Sequence, residues 1–306
     1  FLQNAAPDAS HVVVAMAGVA LERNALARIA AAFDAHPDAV AIYGDLDFLA
    51  DDGRLWPLAF PAFDYERMLE QGYCAHLFAV RRDALIATLG TRPDNLYRLF
   101  NSLLDRTGPQ PADFLHLPGA LATMPVFDRA KASRLLSAAS RLHLRSRGID
   151  AEATEQRGNF FPAVRIRRPF VRHRTTVIIP TRDRVSLLRT CLDSIAPPIK
   201  RCRADILVID NDSAHPEAIG FLADLPRRGI RTLRIEGPFN FARLNNRAAA
   251  ELDTDILCLL NNDIEAVSDD WLEEMLTRLG EPDVGAVGAL LTLPGGVVQH
   301  GGVVLG

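Results

Sequence analysis

TTVIIP, residues 175–180, is the first of four short apolar segments from which the fold of this protein can be predicted. ADILVIDND (204–212), RTLRI (231–235) and DILCLLNND (255–263) follow it along the chain. Each segment is short and rich in aliphatic residues, which is typical of strands buried on both faces. Segments with helical spacing separate them. The alternation predicts an α/β fold with a mostly parallel sheet and helices on both faces.

The sequence also indicates where the helices between these strands begin and end. Apolar residues recur at helical spacing from Val185 to Ile195, and the pair Pro197-Pro198 is expected to end that helix. A further helix is expected over Phe241–Leu252, between the third and fourth strands.

The first half of the chain resembles the end of the second. HVVVAMAG (11–18) predicts a strand, Arg23–Ala35 a helix and Ala39–Asp45 a second strand. HVVVAMAG can be laid over ILCLLNND (256–263), so the sequence predicts two partial copies of one unit. The apolar runs His11–Leu21 and Val284–Leu293 are expected to be buried strands.

Composition excludes several classes of protein. The 306 residues are 48% hydrophobic and carry a formal net charge of -4, so the chain has enough apolar residues for a core and no bulk attraction for nucleic acid. No apolar run reaches the roughly 18 residues of a membrane span, and no secretory signal is visible. The four cysteines are scattered, without the spacing of a zinc or redox pair. We therefore expect a cytoplasmic protein.

Polar and acidic residues follow three of the predicted strands. They are Pro180-Thr181-Arg182-Asp183, Asp210-Asn211-Asp212 and Asn261-Asn262-Asp263. Ligands of open α/β sheets bind at the carboxyl ends of the strands, so these groups are candidate binding residues. No glycine-rich phosphate loop is present. If phosphates bind, a hard divalent cation held by carboxylate or amide oxygens is the standard way to neutralise them.

The motifs PTRDR, VIDNDS, GPFNFARLNNRAA and LLNNDIEAVSDDWLEEML, followed by VGAVGALL and QHGGVVLG, resemble the family-2 glycosyltransferases of the GT-A fold. They are especially similar to bacterial enzymes that build surface polysaccharides. The resemblance covers Arg174–Gly306. The first half is similar to the later half of a preceding glycosyltransferase-like domain in tandem members of the family.

The resemblance implies roles for individual residues. The implied nucleotide-binding residues are Pro180, Thr181, Arg182, Asp183, Asp210, Asn211, Asp212, Arg243, Asn246 and Asn262. Asn211 stands where the family has a second acid, although its side-chain oxygen still offers an acceptor to a uracil or thymine base. Asp263 is the implied metal ligand and Asn261 a neutral helper, with Mg²⁺ or Mn²⁺ as the ion.

The implied reaction is transfer of a sugar, with inversion, from a UDP- or dTDP-sugar to a carbohydrate or glycolipid acceptor. No nucleic acid partner is expected, and peripheral association with the inner face of the membrane is an open alternative. In the family the catalytic base lies well past the metal motif, so it is expected beyond Gly306 and the catalytic residue is unknown. The rival functions are a non-catalytic scaffold or glycan-binding module, and a nucleotidyltransferase, which would need a glycine-rich loop that PTRDR lacks.

Three regions are expected. Residues 1–125 are interpreted as the later half of a degenerate copy, and 126–173 as a helix and an Arg-rich linker. Residues 174–306 are interpreted as the nucleotide-sugar-binding half. In the first copy Asp45-Leu46-Asp47 imitates a metal motif, but the overlay places the metal position on Met16-Ala17-Gly18, which has no side-chain oxygen.

Overall fold

The computed structural model describes residues 8–50, 52–107, 110–281 and 284–302. The last residues of the motif QHGGVVLG lie outside these ranges. The chain divides into two compact units, and the second begins at Pro169.

The first unit combines a mixed sheet with five helices in its described part. Its elements are β1 (His11–Ala15), β2 (Ala20–Leu21), α1 (Ala25–Ala35), β3 (Ala41–Leu49), β4 (Leu55–Leu58), α2 (Tyr65–Gln71), β5 (Leu77–Arg81), α3 (Arg82–Thr88), α4 (Leu96–Thr107), β6 (Phe114–Met124), α5 (Arg129–Ser146), β7 (Glu152–Gln156) and β8 (Ala163–Arg167). The main sheet has the order β1-β5-β3-β6-β2, with β4 on β3. Within it β3 and β6 are parallel, whereas the other described pairs are antiparallel. The mostly parallel arrangement therefore does not extend to this unit.

The Arg-rich stretch is folded into the first unit. β7 and β8 form an antiparallel hairpin, and alternate residues of β8, Val164 and Ile166, are buried in the core. Ser140 of α5 donates a hydrogen bond to the carbonyl of Leu69 on α2. The helix expected within 126–173 is α5, whereas the Arg-rich part up to Arg168 is not a solvated linker, because its alternating apolar residues are buried in the core of the first unit.

The run His11–Leu21 is not one buried strand. It is broken into β1 and β2, and β1 lies at the edge of the sheet, where Val13 is 36% exposed. An edge strand needs only one apolar face, and the alternating burial of β1 reflects this.

The second unit contains the predicted parallel sheet. Its elements are β9 (Thr175–Thr181), α6 (Val185–Cys202), β10 (Asp205–Asp210), α7 (Pro216–Asp224), β11 (Arg231–Arg234), α8 (Phe241–Ala249), β12 (Ile256–Leu259), α9 (Trp271–Leu279), β13 (Leu291–Thr292) and β14 (Val298–His300). The order is β11-β10-β9-β12, and every neighbouring pair in it is parallel. The α/β prediction is confirmed for this unit.

Strand β9 lies at the centre of the unit, and all its residues are buried. Val177 and Ile179 pack in one core with Leu192 and other residues of α6, while Ile178 packs on the opposite face with Leu244 of α8. The sheet therefore has helices on both faces, as the unbroken apolar strand predicts.

Two local predictions for this unit are wrong. α6 continues through Pro197 and Pro198 to Cys202, because Pro198 and Cys202 extend the buried face that begins at Val185. Burial of that face compensates for the backbone hydrogen bonds that proline removes. The run Val284–Leu293 is largely exposed, and its one strand, Leu291–Thr292, pairs with β14 and not with the parallel sheet.

No helix among the described residues is both long enough and apolar enough to cross a membrane.

The core on the α6 side of β9 gives a stability test. Ile195 is fully buried there, whereas Ile219 on α7 is 49% exposed. We expect Ile195→Ala to lower the free energy of unfolding of the second unit by about 2–5 kcal/mol, because it leaves a cavity. Ile219→Ala is the matched control, with an expected change within about 0.5 kcal/mol. Denaturation followed by Trp271 fluorescence in a Trp56→Phe background measures both, and equal losses would contradict the packing described.

Candidate functional site

The carboxyl ends of the parallel strands meet at one edge of the second sheet. The register places Asp210 at the end of β10 beside Thr181 of β9 on one side and Arg234 of β11 on the other. Asn261–Asp263 follow the end of β12, the other neighbour of β9. The three predicted polar segments are thus brought to the same edge, as expected for an open α/β sheet.

Arg234 ties together the two acids of the β10 segment. One of its nitrogens donates to Asp210 Oδ2 at 2.7 Å and the other to Asp212 Oδ1 at 2.6 Å. Asp210 Oδ1 also accepts from the backbone N–H of Ser213 at 2.8 Å. Arg234 was not among the predicted residues, although its place at the carboxyl end of the adjacent strand was a signal that could have found it.

Asp183 links the β9 segment to the start of α7. It has a positive φ of 51°, and its Oδ1 accepts from the backbone N–H groups of Ala214 and His215, both at 2.8 Å. The hydroxyl of Ser213 accepts from the backbone N–H of Asp183 at 3.1 Å. The hydrogen bond from the His215 N–H is the main cause that holds the pKa of the Asp183 carboxyl below its ordinary value. Asp183 therefore connects the loop after β9 to the loop after β10 by hydrogen bonds.

Asn211 is turned into the protein. Its side-chain nitrogen donates to the carbonyls of Ile235 and Gly237, at 3.0 and 3.1 Å, and its side-chain oxygen is buried without a hydrogen-bond partner in the described structure. Its backbone N–H donates to the carbonyl of Thr181. A direct contact from the Asn211 oxygen to a base is therefore not supported by this conformation, because the amide is already used to hold the loop that leads to α8.

The residues predicted on α8 divide into two groups. The Arg243 guanidinium donates to the carbonyls of Glu236 and Pro238, and its backbone N–H donates to Oδ1 of Asn240, the residue that caps the helix. Asn246 is exposed, whereas Asn245 beside it is buried and donates to the Phe241 carbonyl. Arg243 thus stabilises the loop before α8. The side chain of Asn246, the other residue predicted on this helix to bind nucleotide, is exposed to solvent.

The segment after β12 contains the one predicted metal-ligand carboxylate. Asn262 donates to the hydroxyl of Thr181 at 2.8 Å, which joins this segment to β9. Asp263 is exposed and makes no hydrogen bond or ion pair with any described residue. Burial raises the pKa of the nearby Cys191 thiol to about 11, and the charge of Asp263 adds to that shift. Asp263 thus differs from Asp183, Asp210 and Asp212, which already accept hydrogen bonds.

The side-chain oxygens at this edge could supply some, but not all, of the ligands of a hard divalent cation. No cluster of three or more His, Cys, Asp or Glu side chains that could hold a metal occurs in the described ranges. Asp263 offers one carboxylate, with the exposed Asn261 close to it in the sequence. Mg²⁺ is commonly held by one or two carboxylates, with phosphate oxygens and water as the remaining ligands, so the set fits an ion that arrives with a phosphate.

The first unit uses its acidic pair for structure. Asp45 accepts hydrogen bonds from the backbone N–H of Phe60, the ring of His116 and the backbone N–H of Gly119. Asp45 and Asp47 both lie on β3, so they are not at a strand end. These contacts agree with the interpretation that Asp45-Leu46-Asp47 is not a metal motif.

An edge of strand-end acids and amides on a parallel α/β sheet is the kind of site that binds phosphorylated ligands with a cation. Residues 176–299 match the model of Glycosyl transferase family 2. This part of the chain is therefore similar to that family, and the resemblance found in the sequence is confirmed.

Two longer proteins match nearly the whole chain. The O-antigen biosynthesis protein RfbC of Myxococcus xanthus is 33% identical over 301 residues, which are 94% of this chain and 23% of that protein. The uncharacterized protein y4gI of Sinorhizobium fredii is 31% identical over 312 residues, 94% of this chain and 33% of that protein. The chain therefore spans a third or less of the length of these relatives.

Solved structures show weaker likeness. The mannosyltransferase PcManGT from Pyrobaculum calidifontis, in complex with GDP-Man and Mn²⁺, is 25% identical with a TM-score of 0.33, over 38% of this chain and 34% of that one. TarS 1-349 of S. aureus is 14% identical with a TM-score of 0.29, over 35% of this chain and 32% of that one. At these TM-scores neither likeness supports an argument about this chain.

The contacts of Asp183 predict a local dependence on pH. Because its pKa is lowered in the folded protein, its hydrogen bonds are fully formed above about pH 4 and are lost as the pH falls through the lowered pKa. Asp183→Ala should speed amide hydrogen exchange at Ala214 and His215 at neutral pH. Asp183→Asn, which keeps an acceptor oxygen, should have a smaller effect. Unchanged exchange in Asp183→Ala would show that the carboxylate does not hold the loop.

Proposed function

We propose that the second unit binds a nucleoside diphosphate sugar, a UDP- or dTDP-sugar, at the carboxyl edge of its sheet together with Mg²⁺ or Mn²⁺. The sugar passes, with inversion, to a carbohydrate or glycolipid acceptor. Similarity to Glycosyl transferase family 2 supports the class of reaction. The observation that carries the donor site is Asp263, an exposed carboxylate at the edge where three parallel strands end, which makes no hydrogen bond or ion pair with any described residue.

The site residues have two kinds of role in this proposal. Those with exposed side chains and no hydrogen bond or ion pair to described residues contact the donor: Arg182, Asn246, Asn261 and Asp263. Those whose side chains already hold the loops are positioning residues: Asp183, Asp210, Asn211, Asp212, Arg234 and Arg243. The side chains assigned to contact the donor are thus those that can bind it without first breaking a hydrogen bond within the protein.

Charge supports the position of the diphosphate. A cation bound to Asp263 would neutralise the two phosphates and stabilise the negative charge of the departing nucleoside diphosphate. Arg182 follows the end of β9 and adds a guanidinium at the same edge, with a geometry suited to phosphate oxygens. Thr181 and Asn262 are joined by a hydrogen bond between the two segments, which fixes the separation of Arg182 and Asp263.

The catalytic base is not assigned by the described residues. Inversion requires a carboxylate or another base that removes the proton of the acceptor hydroxyl. Asp183, Asp210 and Asp212 accept hydrogen bonds from the loops or from Arg234, and Asp263 is assigned to the cation. This observation keeps a second function open, in which the unit is a non-catalytic module that binds donor or glycan without transfer.

The acceptor class is proposed from the relatives. RfbC is named as an O-antigen biosynthesis protein and matches 94% of this chain. We therefore place the acceptor among cell-surface polysaccharides or their lipid-linked precursors.

Asp263 provides the main test. Asp263→Asn should weaken Mg²⁺-dependent binding of UDP by about 2 kcal/mol or more, which is ~30-fold in Kd, because the charge that holds the cation is lost. Asp205→Asn is the matched control, since Asp205 is an exposed acid at the amino end of β10, the opposite edge of the sheet. Calorimetry with UDP and with dTDP, each with and without Mg²⁺, measures the effect. Wild-type affinity in Asp263→Asn would refute the assignment.

The two units should respond differently to nucleotide. UDP with Mg²⁺ should slow amide exchange around Thr181 and Asp263, and should leave Met16–Gly18 and Asp45–Asp47 unchanged. The reason is that the Asp45 carboxylate already makes three hydrogen bonds within the first unit and Met16–Gly18 have no side-chain oxygen. Hydrogen exchange measured by mass spectrometry tests this prediction. Protection centred on Asp45 would show that the nucleotide binds to the first unit and would contradict the proposal.

A further inference from the structure

The first unit contains a cleft of about 430 Å³ that no role described so far uses. One wall is formed by residues 15–17, where β1 ends, and the other by residues 93–96 and Leu99, where α4 begins. The cleft is wide open, so a ligand in it would keep one side exposed to solvent. The cleft lies beside Met16-Ala17-Gly18, the position that corresponds to the metal motif in the overlay of the two copies.

The lining of the cleft is mostly apolar, with two polar side chains. Met16, Pro93, Leu96 and Leu99 supply C–H surface, and the carboxylate of Asp94 is the charged group. Asp94 Oδ1 accepts from the amide of Asn95 at 2.8 Å, and Asn95 Oδ1 in turn accepts from the backbone N–H of Arg98 at 2.9 Å. Asp94 is thus an exposed acceptor whose neighbour is fixed on the first turn of α4.

This lining does not suit a nucleoside diphosphate. None of the residues that line the cleft is Lys, Arg or His, so nothing offsets the charge of a diphosphate. Asp94 carries the same sign as the phosphates and would repel them. The segment at the end of β1 adds no second acid or amide, unlike Asn261–Asp263 in the second unit.

A neutral sugar matches the same lining. The faces of a pyranose ring carry C–H groups, which pack on apolar side chains, and its edges carry hydroxyls, which donate to a carboxylate. Hydrogen bonds to a charged acceptor are stronger than those between neutral groups, so one carboxylate orients the ring.

We propose that this cleft binds a neutral mono- or disaccharide, without metal and without nucleotide. The first unit then holds a glycan while the second unit holds the donor. The class of ligand rests on the proposed glycosyltransferase function. The site itself lies on residues that the donor proposal does not use, so either proposal can fail alone.

The four methionines of the chain give a direct readout. Met16 lines the cleft, Met68 and Met124 are fully buried in the same unit, and Met275 lies on α9 of the second unit. In protein labelled with ¹³C at the methionine methyls, the methyl glycosides of glucose, galactose, mannose, rhamnose and N-acetylglucosamine are titrated singly. We expect at least one to shift the Met16 signal in a saturable way with a Kd of ~1 mM or lower, while the other three signals stay in place.

Two variants and one control complete the test. Asp94→Asn should weaken the effective glycoside by ~10-fold, since it removes the charged acceptor, and Ala17→Trp should abolish binding by filling the cleft. Asp34→Asn, an exposed acid on α1 outside the cleft, should bind as wild type does. Unchanged Met68 and Met124 signals show that each variant is folded. No Met16 shift with any glycoside at about ten times the expected Kd, equal affinity in Ala17→Trp, or a Met16 shift with UDP and Mg²⁺ in their place would each overturn the proposal.

Discussion

The second unit depends on the burial of β9 between two parallel neighbours. Every residue of this strand is buried, with alternate side chains in two separate cores, and β10 and β12 are both paired to it in parallel register. Parallel pairing places the carboxyl ends of all these strands at one edge. Close packing of side chains on both faces and hydrogen bonds to strands on both sides hold this strand in one position. The position of each polar segment at that edge follows from this constraint.

The polar groups at the edge are not equivalent once the strands are in place. Asp183, Asp210 and Asp212 are the acceptors for backbone N–H groups and for Arg234, and Asn211 donates to two carbonyls. Strand-end loops carry many unpaired backbone groups, and acidic and amide side chains satisfy them well. The same residue types can therefore contact a ligand at one position and stabilise a loop by hydrogen bonds at another. Asp263 and Arg182 stand apart because no described residue pairs with them.

The first unit differs from the second in the residues that follow its strand β1 and in the position of its acidic pair. Its strand β1 ends in Met16-Ala17-Gly18, and its acidic pair lies inside β3, where Asp45 bonds to three groups of the fold. What remains at the end of β1 is a cleft with apolar walls and a single acid. The end of β1 thus lacks the acid and amide side chains that follow β12 in the second unit.

Local signals are enough to predict the parallel α/β sheet of the second unit, the succession of its strands and helices, and the three polar segments at one edge. These signals are continuous apolar runs, helical spacing and ordered motifs. Three features could be seen only in the folded chain: β7 and β8 belong to the first unit, α6 continues past Pro197-Pro198, and Arg234 joins Asp210 to Asp212. Each of these depends on a partner distant in the sequence, because burial and ion pairing depend on what lies opposite a residue and not on its neighbours along the chain.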